Sequence, residues 1–90
     1  RIQAAAAVQA PEPPDYLDDK ERGIFLRLRE ALDPVALEVQ DISGGCGSMY
    51  AVAITAEAFR GLPVIKQHRL VNDILKSDIK EWHGIQLRTK

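Results

Sequence analysis

An α+β domain with the element order α-β-β-α-α-β is the fold this sequence predicts. Three observations carry it: two segments with helical spacing of apolar residues, two strand-like alternations flanking a glycine loop, and a third alternation at the chain end. Ninety residues suit one small core, since a chain this short buries only about 60–65% of the surface its unfolded form exposes. Hydrophobic residues make up 46% and charged residues 28%, a balance that supports a compact fold over most of the length.

Residues 1–17 read as a leader outside that core. Pro11, Pro13 and Pro14 remove amide donors and block helix, and "RIQAAAAVQA" holds an arginine, several alanines and no acid. The stretch reads as a disordered leader or as the remnant of an organellar transit peptide. The folded domain is expected over 18–90.

From Asp18 onward Ile24, Phe25, Leu28, Ala31 and Leu32 recur at three- and four-residue steps, which places them on one helical face. Asp18 or Asp19 can cap the start, and Asp33-Pro34 ends the helix. "VALEVQDIS" then alternates Val35, Leu37 and Val39 against Ala36, Glu38 and Gln40, with the pattern slipping at Asp41-Ile42. "YAVAITA" resumes it with Tyr50, Val52 and Ile54 on one side. The two strands read as a hairpin whose connection is longer than a two-residue turn.

Val64, His68, Val71 and Leu75 form one stripe of a second helix, with Leu70 and Ile74 beside it. Ser77 is the expected cap of a short third helix that stops at Gly84, and "GIQLRT" is a strand with Ile85 and Leu87 inward. Two helices between the second and last strands are long enough for a crossover, so those strands are expected to be parallel neighbours.

That topology has a consequence for chemistry. Cys46 precedes the second strand and His83 precedes the last one. Parallel neighbours begin at the same end of a sheet, about 4.8 Å apart, so one edge should carry both residues. A thiolate and an imidazole are suited to zinc, copper or an iron–sulfur cluster, but two ligands cannot fill a coordination sphere of four, and a second molecule would have to supply the rest. The loop "SGGCGSMY" lets the backbone approach a bulky group and leaves amide N–H groups free to bond sulfur.

The same residues have a plainer use. Gly44, Gly45 and Gly47 can supply positive φ in a hairpin loop around an incidental Cys46, while His83 caps the short helix through its last carbonyls. A Cys-His nucleophile pair is a third use, without an Asp or Asn beside His83 to orient it. His68 reads as structural or as a partner contact, and Trp82 as packing for the short helix. Lys66, Arg69, Lys76 and Lys80 read as a solvated basic face.

Bulk properties narrow the field. Twelve basic against thirteen acidic side chains give a formal charge of -1, without the cationic excess that neutralises several phosphates. No apolar run approaches the ~20 residues that span a bilayer. With a single Cys the chain makes no internal disulfide, which points to a reducing compartment.

Three segments together resemble the BolA family: "DISGGCGSMY", then "FRGLPVIKQHRLVNDILKSDIKEWHGI", and the closing "IQLRT". The specificity lies in the GGCG loop followed by Phe59, Gly61, the run His68-Arg69-x-Val71 and then His83-Gly84. The chain is most similar to the mitochondrial eukaryotic branch, whose hairpin loop holds a cysteine. This resemblance implies a class II KH-like fold with a mixed three-stranded sheet. It implies a non-enzymatic role in iron–sulfur cluster assembly in the mitochondrial matrix, late in maturation of [4Fe–4S] proteins such as lipoate synthase and respiratory complex subunits. The implied cofactor is a [2Fe–2S] cluster shared with a monothiol glutaredoxin and glutathione, with His83 and Cys46 as this chain's metal ligands. An Nfu-type scaffold or [4Fe–4S] recipient proteins are further implied partners.

The resemblance leaves one alternative, a nucleic-acid-binding transcriptional regulator on the KH-like scaffold. Many KH domains grip nucleic-acid backbone with a GxxG loop, whereas the corresponding turn here is "LKSDIKE", in which Asp78 would repel phosphate.

Overall fold

A computed structural model describes residues 11–90, so residues 1–10 of the expected leader lie outside the described residues. Helix α1 spans Asp19–Leu32, strand β1 Ala36–Asp41 and strand β2 Met49–Thr55. A 3-10 turn over Glu57–Phe59 leads into helix α2, Val64–Ile74, then the short helix α3, Lys76–Ile79, and strand β3, Gly84–Thr89. The sheet order is β1-β2-β3, with β1 antiparallel and β3 parallel to β2. The expected α-β-β-α-α-β order and mixed sheet are therefore the fold. Among the described residues no helix is long and apolar enough to cross a membrane.

Helix α1 starts where its cap chemistry is complete. Asp18 Oδ1 accepts the amide of Glu21 at 2.7 Å, and the Asp18 amide donates back to Glu21 Oε1 at 2.9 Å, so two otherwise orphaned donors are satisfied reciprocally. The helix ends because Asp33 takes the left-handed conformation, φ 46°, while its amide still reaches the Arg29 carbonyl at 3.0 Å. Between these ends Ile24, Phe25 and Leu28 are buried, and Leu32 is half-buried. Ala31, expected on the same face, is exposed at its margin.

The core lies between the helices and one face of the sheet. Leu37 and Val39 of β1 and Tyr50, Val52 and Ile54 of β2 point into it, as the alternation predicts, and Ile85 and Leu87 of β3 pack against it half-buried. Val35 is 49% exposed because the chain enters β1 only at Ala36. Leu17 is buried in the same core, so the folded unit starts at least one residue before the boundary expected at 18.

Three local expectations are corrected. The buried line of α2 runs through Gln67, Val71 and Leu75, with His68 half-buried and Val64 60% exposed. A polar residue therefore occupies the position that apolar spacing assigned to the neighbouring stripe, and its amide makes burial affordable. Gln67 Nε2 donates to the carbonyls of Leu62 at 2.8 Å and Phe59 at 3.3 Å, and Gln67 Oε1 accepts Thr89 Oγ1–H at 2.6 Å. These bonds tie the start of α2 to the end of β3 and so fix the crossover. Ser77, expected as an N-cap, instead lies inside α3, which begins at Lys76 and continues directly from α2 through Leu75 without a side-chain cap. Helix α3 stops at Ile79, and Gly84 opens β3 rather than closing the helix.

Candidate functional site

The parallel pairing of β2 and β3 decides where Cys46 and His83 go. Met49 pairs with Gly84 and Tyr50 with Ile85, so both strands start at one end of the sheet. One step before that register begins, the His83 amide donates to the Ser48 carbonyl at 2.6 Å. His83 is thus tied to the backbone two residues from Cys46, and both residues are exposed. Sequence separation has been removed at the backbone level, on a rim open to solvent.

The loop between β1 and β2 is folded around a carboxylate. Asp41, the last residue of β1, accepts the Ser43 amide at 2.7 Å and the Ser43 hydroxyl at 2.5 Å on Oδ1, and the Gly47 amide at 3.2 Å on Oδ2. Ser43 Oγ in turn accepts the Ser48 amide at 3.2 Å. The Ser43 hydroxyl and then its amide, with smaller help from the Gly47 and Gly45 amides, hold the Asp41 carboxyl below its ordinary value of 3.8 against the opposing effect of burial. A concave set of backbone N–H groups around an anion is the usual arrangement of a nest, with the anion here supplied by the chain itself.

This arrangement revises one expectation about the glycines. The Gly47 amide is spent on Asp41 and does not remain free for a sulfur acceptor. The conformational role is present as well: Gly44, Gly45 and Gly47 have φ of 78°, 98° and 73°. Gly47 has a further constraint, because a Cβ there would stand 2.9 Å from Lys20 Nζ and 3.1 Å from the Tyr50 hydroxyl.

Helix α1 anchors the loop from the other side. Glu21, already half of the capping box, uses its second carboxylate oxygen to accept the Asp41 amide at 2.8 Å. Beneath the loop the ring of Tyr50 meets that of Trp82 with centroids 4.5 Å apart and planes inclined by 42°. Trp82 is half-buried, so it packs the α3–β3 connection against the core, and it also borders a hollow of about 330 Å³ beside Cys46, Lys20, Arg27 and Asp78. Asp78 pairs with Arg27 across this hollow. The Tyr50 hydroxyl has no hydrogen-bond partner, and its pKa is raised by burial first and then by the charges of Asp41, Asp18 and Glu21.

The other histidine is elsewhere. His68 lies half-buried on α2 and lines a separate hollow with Val64, Leu87 and Thr89, at the far ends of β2 and β3. Lys66, Arg69, Lys76 and Lys80 are exposed. Among the described residues no three His, Cys, Asp or Glu side chains gather into a group able to hold a metal ion. Sequence reasoning missed Asp41 and Glu21. The signal available for Asp41 was its place two residues before Ser43 at the head of a glycine loop, where an Asp side chain commonly bonds the backbone two residues on.

Comparison with known proteins follows the same lines. A family model described as BolA-like protein matches residues 28–90. BolA-like protein 3 of Saccharomyces cerevisiae is 55% identical over 71 residues, covering 79% of this chain and 60% of the relative. BolA-like protein 3 of Homo sapiens is 48% identical over 54 residues, covering 60% of this chain and 50% of the relative. The chain therefore spans half to three-fifths of these curated relatives, neither of which carries an enzyme name. Among solved structures, the BolA domain of SufE1 from Arabidopsis thaliana superimposes with a TM-score of 0.76 at 31% identity, covering 82% of this chain and 93% of that domain. By the matched model, the identity to these relatives and the shared architecture, the chain belongs to the BolA family.

Proposed function

We propose that this protein is a non-enzymatic adaptor that receives and hands on an iron–sulfur cluster together with a monothiol glutaredoxin. The cluster is cargo, and Cys46 and His83 are this chain's ligands to it. One observation carries the reading: the His83 amide bonds the Ser48 carbonyl, two residues from Cys46, so an exposed imidazole-bearing residue and an exposed thiol-bearing residue share one open rim. The rim supplies two ligands, and among the described residues no third joins them, so the remaining ligands belong to a second molecule. A glutaredoxin cysteine and a glutathione thiol complete the set.

The relatives add support, since iron–sulfur biology is where this family is known and a BolA domain also occurs in SufE1. The family branch favours action in the mitochondrial matrix on late [4Fe–4S] maturation, with an Nfu-type scaffold or the recipient proteins themselves downstream. The chemistry suits transfer. An imidazole in place of one thiolate raises a cluster's reduction potential, as in Rieske centres, and ligation by a neutral imidazole is open to competition from protons. The nucleic-acid alternative has less behind it, because the segment matching the KH loop is occupied by α3, which carries Asp78, with Glu81 exposed just beyond it, and has no GxxG loop to meet phosphate.

Mixing the chain with a monothiol glutaredoxin and glutathione during cluster reconstitution tests the proposal. The visible absorption and circular dichroism of the glutaredoxin-bound cluster are expected to shift on addition of the wild-type chain and to stay unshifted with His83→Ala. Complexes of His83→Ala and Cys46→Ser that retain the wild-type spectrum would contradict ligation by this chain.

A further inference from the structure

The residue that governs the thiol loop is not one that touches a metal. We infer that Asp41 is a positioning residue: its carboxylate is the internal anion around which residues 42–48 fold, so that Cys46 is held at the rim before any partner arrives. The inference deepens the proposed function, on which the purpose of holding Cys46 rests, but the device itself is a property of the free chain.

The geometry supporting it is a continuous relay. Asp18 and Glu21 lock the first turn of α1, Glu21 accepts the Asp41 amide, and Asp41 accepts from Ser43 and Gly47. Ser43 Oγ then accepts the Ser48 amide, and the Ser48 carbonyl accepts the His83 amide. Each link has a backbone amide as donor, and the helix start, the loop and the head of β3 share one network. Cys46 stands between two residues of that network, Ser43 and Gly47, without belonging to it.

Glycine-rich backbone alone would leave a seven-residue connection conformationally broad, since glycine loses more freedom on ordering than any other residue. Hydrogen bonds to a charged acceptor are stronger than neutral ones, and two amides and a hydroxyl converge on this one. At position 47 only glycine fits without pushing on Lys20 or the Tyr50 hydroxyl. The loop is thus fastened at both sides of the cysteine, and the entropy of ordering it is met by the fold and not by partner binding. A preorganised ligand costs less to engage.

Near Asp41 stand Glu21 of α1, which accepts its amide, and Tyr50 of β2, whose hydroxyl also feels Asp18 at the α1 N-cap, while Lys20 of α1 lies against Gly47. Amide hydrogen exchange by NMR on the full chain, without any cluster, separates Asp41 from them. In Asp41→Ala, exchange at the Ser43 and Gly47 amides is expected to rise about ten-fold or more, while Val52 and Ile54 in the central strand hold their wild-type rates. Asp41→Asn, which keeps one carbonyl acceptor, should fall between the two. In the wild type, protection of Ser43 and Gly47 should fade as pH drops through the Asp41 titration, and Asp41→Asn should lack that response.

Loop amides within two-fold of wild type in Asp41→Ala would overturn the inference. So would an identical pH response in Asp41→Asn. Because these readouts need no cluster, spectra that contradict ligation by His83 and Cys46 would remove the proposed function and leave the Asp41 latch standing, and the converse holds equally.

Discussion

The His83 amide and the Ser48 carbonyl meet at 2.6 Å, and that bond is the point where the glycine loop and the crossover connection become one rim. It sits one step outside the parallel register of Met49 with Gly84, so the same pairing that builds the sheet also presents the two candidate ligands. Function and fold share an edge here, which makes several properties of the free protein informative about the site.

Glycine substitutions in the loop separate backbone strain from contact. Gly44 has φ 78° with nothing within 4 Å of a would-be Cβ, whereas Gly47 has φ 73° and a Cβ there would press on Lys20 Nζ and the Tyr50 hydroxyl. Gly44→Ala should cost about 1 kcal/mol from the left-handed conformation alone. Gly47→Ala should cost about 1 kcal/mol more, because the buried Tyr50 hydroxyl has less room to yield than the flexible lysine. Urea denaturation of both variants checks the difference, and equal midpoints would argue against a confined Gly47.

The Tyr50–Trp82 contact supports the rim from below. Trp82→Ala should destabilise the fold by about 2–3 kcal/mol, below the full cost of a buried tryptophan because Trp82 is half-buried. Thermal unfolding followed by far-UV circular dichroism measures it. A loss under about 1 kcal/mol would mean that the ring pair contributes little to holding the α3–β3 connection.

Gln67 makes a prediction about the crossover. Gln67→Leu keeps bulk but removes the side-chain partner of the Leu62 carbonyl and of the Thr89 hydroxyl, leaving them unpaired, whereas the Phe59 carbonyl keeps the Leu62 amide. A destabilisation of about 1–3 kcal/mol follows. The double variant Gln67→Leu with Thr89→Val should recover part of it, since both ends of one bond are then apolar. Strict additivity of the two changes would count against a shared network.

The Asp41 carboxyl gives stability a defined pH dependence. Its folded pKa lies below the ordinary 3.8, so its contribution is fully present above 3.8 and disappears as pH falls through the depressed folded value. Chemical denaturation across pH 5 to 2 should therefore show a loss of stability that is smaller in Asp41→Asn. The same slope in both proteins would assign the acid sensitivity to other carboxylates.

Much of this molecule is written in local patterns. The helix over Asp19–Leu32 and both hairpin strands follow from apolar spacing, and the parallel return of β3 follows from the length of the connection alone. That is why the pairing of the His83 amide with the backbone two residues from Cys46 could be anticipated across the chain. What could not be read were features set by tertiary partners. The buried face of α2 turns on Gln67, whose burial depends on carbonyls from the 3-10 turn and a hydroxyl from β3 that no window of sequence reveals. Ser77 resembles a cap, yet α3 follows α2 without a break and offers it no helix start to satisfy. Asp41 before Ser43 offered only a hint of an Asx turn, and its bonds to the Gly47 amide and the Glu21 carboxylate appear only when the loop folds back and Glu21 arrives from the preceding helix.

The central claim, that His83 ligates a cluster held jointly with a glutaredoxin, is tested most directly by the nitrogen on the iron. The chain has two histidines, so a ¹⁵N-histidine sample, complexed with unlabelled monothiol glutaredoxin, glutathione and a reduced [2Fe–2S] cluster, allows an unambiguous pulsed electron paramagnetic resonance measurement. A strong ¹⁵N hyperfine coupling from a directly bound imidazole is predicted in the wild type and in His68→Ala, and its disappearance in His83→Ala. A complex without that coupling, or one that keeps it in His83→Ala, would contradict the account.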